Sequence, residues 1–287
     1  MFGIFDKITE FIKDILMGVI HSNLQSMFID INEKVELVAN EVAKSPMSFN
    51  NHVFSFIKNI NDSLVIPIAT MIITAVLCVE LINLVMQKNN MHDVENFQFF
   101  KYIIKMWVAI WFVTHAFDFA MATFDVAQNL IGKATGIINT NAVISNEEIL
   151  TMVEALKERG IGELLVIVIE TSIVKLLVQG ISILIVVITY GRMFEIYAYC
   201  SISSIPFATM GNREWGSIGN NYIKGLFALG LQGLFLIICL GIYAVLVKTI
   251  NIDDIHRSIF LILGYTILLG LMMFKSGSLA KSILNAH

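Results

Sequence analysis

The residues with the greatest potential for chemistry are ionisable side chains that stand inside long apolar stretches. A charge at the centre of a bilayer costs roughly 2.5 to 3.5 kcal/mol, so such a group is retained for a function or for a partner. Carboxylates and imidazoles in these places could serve a proton relay, an ion pathway or a metal site. The candidates are Glu80, His115, Asp118, Glu170, Lys175, Arg192 and Glu195.

The spacing of these groups favours pairing between helices over catalysis. His115 and Asp118 lie close in sequence but lack the further ligands that a metal ion needs. We expect interhelical pairs, with Lys175 bonded to Glu80 or to Glu170, and a transport role for the carboxylates stays an alternative. The chain has no phosphate-binding loop, no HExxH motif and no GxSxG nucleophile elbow. We therefore predict no enzyme activity, no cofactor and no metal site.

Composition indicates the class of fold that must position these groups. Hydrophobic residues make up 56% of the chain and charged residues 15%, and the mean hydropathy is +0.76. Long apolar runs of this kind have no place in a soluble fold. The net charge is −4 and no two lysine or arginine residues are adjacent, so no basic patch for nucleic acid or anionic lipid is evident. We predict an all-α, polytopic helical protein of the cell membrane, in contact with lipid.

The first part of the chain contains two helical patterns. Charged residues from Asp6 to Asp14 recur every three or four positions opposite an apolar side, which predicts an amphipathic helix at the membrane interface, not a signal peptide. A narrow apolar seam with a period of 3.5 residues follows. It could pack within its own domain or against another subunit, and both alternatives stay open. The seam consists of Leu24, Phe28, Ile31, Val35, Val38 and Val42.

Hydropathy predicts six membrane spans, or five if the fourth is re-entrant, because Glu195, three serines and Pro206 weaken that segment. The spans are 64–86, 102–123, 162–190, 193–210, 222–247 and 258–274. A central loop precedes the third span, and a capping box of Ser145 and Glu148 predicts a short helix in it. The expected segments are 1–63 (interfacial and seam helices), 64–123 (two spans), 124–161 (structured loop), 162–274 (membrane core with a glycine-rich hairpin) and 275–287 (tail).

Glycines on the fifth span predict close packing of helices. Gly219, Gly230 and Gly241 recur every eleven residues and so share one stripe, with Gly233 beside it. Such a stripe could pack within the subunit or between subunits, and we leave both alternatives open. The polar turn Arg213-Glu214-Trp215 precedes this span, and we expect it to contact a partner.

Four motifs in order carry a resemblance to a known family. They are GRMFEIY, SSIPFAT, NREWGSIGNNYIKGLFALGLQG and GIYAVLV, all between Gly191 and Val247. Together they resemble the TrbL-like conjugal-transfer proteins of Gram-positive mobile elements, which are polytopic membrane subunits of VirB-type type IV secretion machines. The order of the N-terminal helices, spans and central loop extends the resemblance over most of the chain.

The resemblance implies a non-catalytic membrane platform that forms a homo-oligomer. Such a platform would contact the ATPases and channel subunits of the secretion machine and help to pass single-stranded DNA with its bound relaxase across the membrane. Whether the DNA touches this subunit stays open. Two alternatives also stay open: a small-solute or ion transporter that uses the intramembrane carboxylates, and a scaffold that lies outside the channel.

Overall fold

The structure is a computed structural model that describes residues 2–86, 96–138, 146–212, 215–250 and 255–286. The regular structure in these ranges is helical, which confirms the all-α prediction. The helices are α1 (Phe2–Ala43), α2 (Pro46–Phe49), α3 (Asn51–Ile60), α4 (Ile66–Met86), α5 (Asn96–Thr114), α6 (Ala116–Ile138), α7 (Asn146–Glu154), α8 (Ile161–Ser201), α9 (Ser204–Thr209), α10 (Gly216–Lys248) and α11 (Ile255–Ile283).

Five helical stretches among the described residues are long and apolar enough to cross a membrane, which confirms a multi-pass membrane protein. The five are Asn51–Met86, Phe97–Thr114, Ile161–Ser201, Gly216–Lys248 and Ile255–Ile283. In the first of them, a π-helical turn (Asn61–Val65) joins α3 to α4. The last continues to Ile283, so most of the expected tail is helical.

The weak fourth segment, 193–210, does not form a separate helix of spanning length, which agrees with the five-span alternative. Its first nine residues complete α8, and six more form the short helix α9, which is too short to cross a bilayer. The chain turns at Ser201–Ser203, just before Pro206. Proline lacks a main-chain N–H and its ring crowds the carbonyl four residues earlier, so Pro206 favours a break in the helix at this point. Among the described residues, five helical stretches could therefore cross a membrane.

The second span and the central loop also differ from the prediction. The segment 102–123 is divided at His115 between α5 and α6, and α6 extends to Ile138. Much of the expected loop at 124–161 is therefore helical. Phe124, Ile131 and Thr135 are buried at intervals of seven and four residues, which is the spacing of one helix face. Ser145 lies outside the described residues.

The described chain divides into two compact units, and the first unit comprises 1–43, 131–190 and 235–276. Its N-terminal element is one continuous helix, α1, where the sequence suggested two successive patterns. All six residues of the apolar seam on α1 are buried, from Leu24 at 0% exposure to Val35 at 8%. Helix α7 packs against α1. Ile149, Met152 and Leu156 are buried there, whereas Leu150 is half exposed.

The second unit comprises 44–130, 191–234 and 277–287, and α9 lies at its centre. Helices α4 and α5 both pack against α9. The ring of Phe207 on α9 stacks on Phe112 and meets Phe119 and Tyr222 edge to face, at centroid distances from 5.5 to 6.3 Å. Aromatic rings bury large apolar areas and favour these geometries, so the broken end of α8 becomes a packing centre.

Candidate intramembrane polar sites

Glu80 is paired with a lysine that the sequence analysis did not select. Lys105 on α5 donates from Nζ to Glu80 Oε2 on α4. One turn away, the hydroxyl of Tyr102 donates to the main-chain carbonyl of Leu77 at 2.8 Å. The two contacts join α4 to α5 through polar groups, which is how intramembrane charges are commonly stabilised. The expected pairing of Glu80 with Lys175 is replaced by this one.

The side chains of Trp107, Trp111 and His115 are exposed and point away from the core of the second unit. Trp107 and Trp111 are 67% and 47% exposed. The imidazole of His115 stacks on Trp111, and its Nδ1 lies 3.0 Å from the carbonyl oxygen of that residue. Asp118 is exposed and lies 3.9 Å from Lys58. His115 and Asp118 thus have separate neighbours, and no group of three or more potential metal ligands occurs among the described residues.

In the first unit, Glu170 and Lys175 each have a partner other than the one we expected. Glu170 Oε2 lies 2.6 Å from His256 Nδ1, which joins α8 to α11. Lys175 donates to the side-chain oxygen of Asn23 at 3.4 Å. The amide nitrogen of Asn23 donates in turn to Ser172 Oγ at 3.0 Å. The second arrangement joins α8 to α1 by polar contacts among neutral groups and one ammonium.

Arg192 and Glu195 hold the end of α8 to α10 and α11 within the second unit. Arg192 is 5% exposed, and its Nε donates to the carbonyl of Leu229 at 3.3 Å. Glu195 accepts from Lys281 at 3.0 Å. One turn before Lys281, Gly277 lies next to the side chain of Gln232, whose buried Oε1 has no hydrogen-bond partner among the described residues.

A buried polar node at Asn61 escaped the sequence analysis. Asn61 is fully buried in the π-helical turn and donates to the carbonyl of Ser201 at 3.0 Å. Its amide also lies within 3.5 Å of the buried hydroxyls of Ser203 and Ser204. The node therefore supplies partners to polar groups where α8 ends. The asparagine next to the first span was the available signal, but its partners lie about 140 residues away in the sequence.

The glycine stripe of α10 is largely occupied by the chain itself. A Cβ added to Gly219 would lie 2.6 Å from the Pro206 carbonyl, and one added to Gly230 would lie 3.1 Å from the Cβ of Ala127. Gly233 is buried and Gly241 is partly exposed. Contact of a second subunit at Gly219 or Gly230 would thus require the present neighbour to move.

The polar turn before α10 is described in part. Arg213 and Glu214 lie outside the described residues. Trp215 is 47% exposed, and its main-chain N–H donates to Asn212 Oδ1 at 3.2 Å. An exposed tryptophan at the start of a membrane helix can contact either an interface or a partner.

A comparison with protein families identifies the kind of molecule to which this arrangement belongs. The model of the TrbL/VirB6 plasmid conjugal transfer like proteins matches residues 31–204, more than half of the chain. The chain belongs to this family. Family membership implies a membrane component of a type IV secretion or conjugal transfer system, generally without enzyme activity, that associates with other subunits of the system.

The extent of the TrbL/VirB6 match differs from the resemblance in the sequence. The resemblance is most specific over 191–247, but the match ends at residue 204. Of the four motifs, GRMFEIY lies wholly inside the match, SSIPFAT contributes its first two residues, and the last two motifs lie outside it. No curated protein matches the chain. No solved structure matches it either.

Proposed function

We propose that copies of this chain assemble into a membrane platform of a conjugative type IV secretion system. The platform helps to pass single-stranded DNA with its bound relaxase across the cell membrane, in the Gram-positive branch that the sequence resembles. The observation that carries the proposal is the family match over residues 31–204. Five apolar helices of spanning length are consistent with it.

The structure favours α5 over the glycine stripe as the contact between copies. Gly219 and Gly230 already have neighbours within the chain. In contrast, α5 is the candidate span with the smallest buried share, 11%. Its exposed side chains include Phe97, Phe100 and Trp107, at 59% to 71% exposure. Aromatic residues are enriched where protein surfaces associate, so we assign the subunit contact to this face.

The pairing of the carboxylates supports a platform over a solute transporter. Glu80, Asp118 and Glu170 each lie beside a different basic residue, namely Lys105, Lys58 and His256. Within each unit the pairs join neighbouring helices, which is the behaviour of structural pairs in a bundle.

Photocrosslinking to DNA in transit tests the proposal. A photoreactive residue is placed at the exposed positions Trp215, just before α10, and Ile242 on α10, with buried Leu229 on α10 as the control. We expect DNA adducts from an exposed position in donor cells during conjugation and none from Leu229. If neighbouring subunits yield adducts while this chain yields none, the chain is a scaffold outside the DNA path.

Disulfide or chemical crosslinking between copies tests the subunit contact separately. Trp107→Ala removes an exposed indole from α5, and we expect it to reduce oligomers in detergent. The control is Phe274→Ala, which removes a ring of 73% exposure from α11. Equal oligomer content in the two variants would contradict the assignment to α5.

A further inference from the structure

Helix α1 lies beside α8 in the first unit, and the two helices meet at two levels. Asn23 contacts Thr171 and Ser172 on α8. Further along, Lys34 and its neighbours share one small cleft with Ser182 on α8. The cleft is lined by Ile31, Lys34, Val35, Ser182, Ile185, Leu240, Tyr243, Thr266 and Leu269, so it includes α10 and α11 as well. The residue numbers of α1 and α8 rise together along this contact, so the two helices are parallel.

The outer side of α8 at this level is apolar. Leu176, Ile183 and Val187 are 63% to 70% exposed and lie between or just beyond the residues that contact α1. Large aliphatic side chains in such a row, on a helix of spanning length, are suited to lipid. The part of α1 from residue 23 onward therefore lies at the depth of the apolar spans.

The opposite side of α1 at the same depth is polar and acidic. Ser22, Glu33, Glu36 and Asn40 are all exposed. With 100° per residue, these positions lie on average about 155° round the helix from the buried seam. One large apolar side chain, Ile29, also lies on this face and is 45% exposed. This face is thus directed away from the unit that the seam packs into.

We propose that this outward face of α1, from Ser22 to Asn40, borders a water-filled space at membrane depth. Lipid cannot solvate the carboxylates of Glu33 and Glu36, and charged groups at this depth characteristically face water or a partner inside the protein. Apart from Ile29, the exposed large apolar residues in the described part of α1 come earlier, from Ile8 to Val19, and are 37% to 66% exposed. A helix that faced lipid would show the reverse order, with its apolar side chains at the depth of the spans.

Composition favours water over a second protein surface. Interface cores are depleted of serine and glutamate and enriched in aromatic residues, methionine and arginine. The face from Ser22 to Asn40 has the opposite composition. It therefore resembles the wall of an aqueous cavity, and its excess of carboxylates would not retain a passing polyanion. The inference depends on the membrane location of the chain and not on the passage of DNA through it.

Thiol accessibility in donor cells with the complete secretion system tests the inference. Cys78, Cys200 and Cys239 are first replaced by serine or alanine. Glu33→Cys and Glu36→Cys are then compared with cysteines on the lipid-facing side of α8. A membrane-impermeant methanethiosulfonate reagent is used, because the reactive thiolate forms in water and not in hydrocarbon.

The controls on α8 are Ile183→Cys and Val187→Cys, which lie at similar depth. We expect the two α1 positions to react at least about tenfold faster than these controls. If the glutamate variants do not accumulate, Ser22→Cys takes their place, because it replaces only one atom. We expect this cysteine to react as well. Rates on α1 equal to those on α8, whether through burial by lipid or by a partner protein, would overturn the proposal. If the cysteines on α1 react but no DNA adduct forms, the water-filled space is supported and only the passage of DNA along this chain is contradicted.

Discussion

Replacement of Gly219 by alanine tests whether the glycine stripe packs within the chain. Gly219 is the fourth residue of α10 and lies over the segment that contains α9. The added Cβ would lie 2.1 Å from Met210 Cγ and 2.6 Å from the Pro206 carbonyl oxygen. The methionine side chain can rotate away, but the carbonyl belongs to the main chain of a buried helix, so α9 or α10 must shift.

The expected cost follows from a matched comparison. Overpacking a tight contact by one methyl group costs typically about 1 to 3 kcal/mol. Exchange of glycine for alanine inside a helix returns up to about 1 kcal/mol through helix propensity. Gly264 on α11 has no atom within 4 Å of an added Cβ, so Gly264→Ala gains the propensity without the clash. The two variants should therefore differ by about 1 to 3 kcal/mol.

Thermal unfolding of the purified protein in detergent provides the measurement. For a chain of this size the difference corresponds to a Tm for Gly219→Ala that is on the order of 5 °C lower than that for Gly264→Ala. The experiment is done at a concentration where the protein is monomeric, because a contact within the chain is then the only one that can be lost. Equal Tm values for the two variants in the monomer would refute the packing of α10 against the α9 segment.

Three further variants probe the polar contacts, each by thermal unfolding in detergent. Asn61→Ala removes a fully buried amide that supplies several polar groups, so we expect a loss of about 1 to 3 kcal/mol; an unchanged Tm would exclude the node. Tyr197→Phe removes a 2.6 Å hydrogen bond to a main-chain carbonyl, and a loss of about 1 kcal/mol is expected, with Tyr265→Phe on another helix as the control. Glu195→Gln weakens a 3.0 Å pair with Lys281 whose side chains are about 40% exposed, so the change should stay below about 1 kcal/mol. A larger loss would indicate a pair shielded from solvent.

The sequence predicted the features that depend on local composition. Hydropathy located α4, α8, α10 and α11, because a helix must be apolar over its own length to cross lipid. The heptad spacing from Leu24 to Val42 located the buried side of α1, because periodicity reports which side of a helix meets a core. Neither signal requires knowledge of any other segment.

The features that the sequence did not predict depend on distant segments. Lys105, His256 and Asn23 became the partners of Glu80, Glu170 and Lys175 because of the order in which helices pack. One sequence contains no record of that order. The sequence did not predict that the segment around Pro206 forms a short buried helix, for a related reason. Its moderate hydropathy suits both a weak span and a buried core helix, and the aromatic residues that enclose it come from α5, α6 and α10.

The contact between α1 and α8 has a consequence for the order of events during synthesis. Asn23 and its partner Thr171 are 148 residues apart, so the ribosome completes the second on the order of ten seconds or more after the first. During that interval α8 has not been synthesised, so the apolar seam of α1 cannot yet pack against it. The exposed apolar residues from Ile8 to Val19 can bind α1 to the bilayer surface in the meantime. Synthesis of α8 therefore precedes the docking of α1 on it, and the N-terminal helix becomes protected only after the middle of the chain has been made.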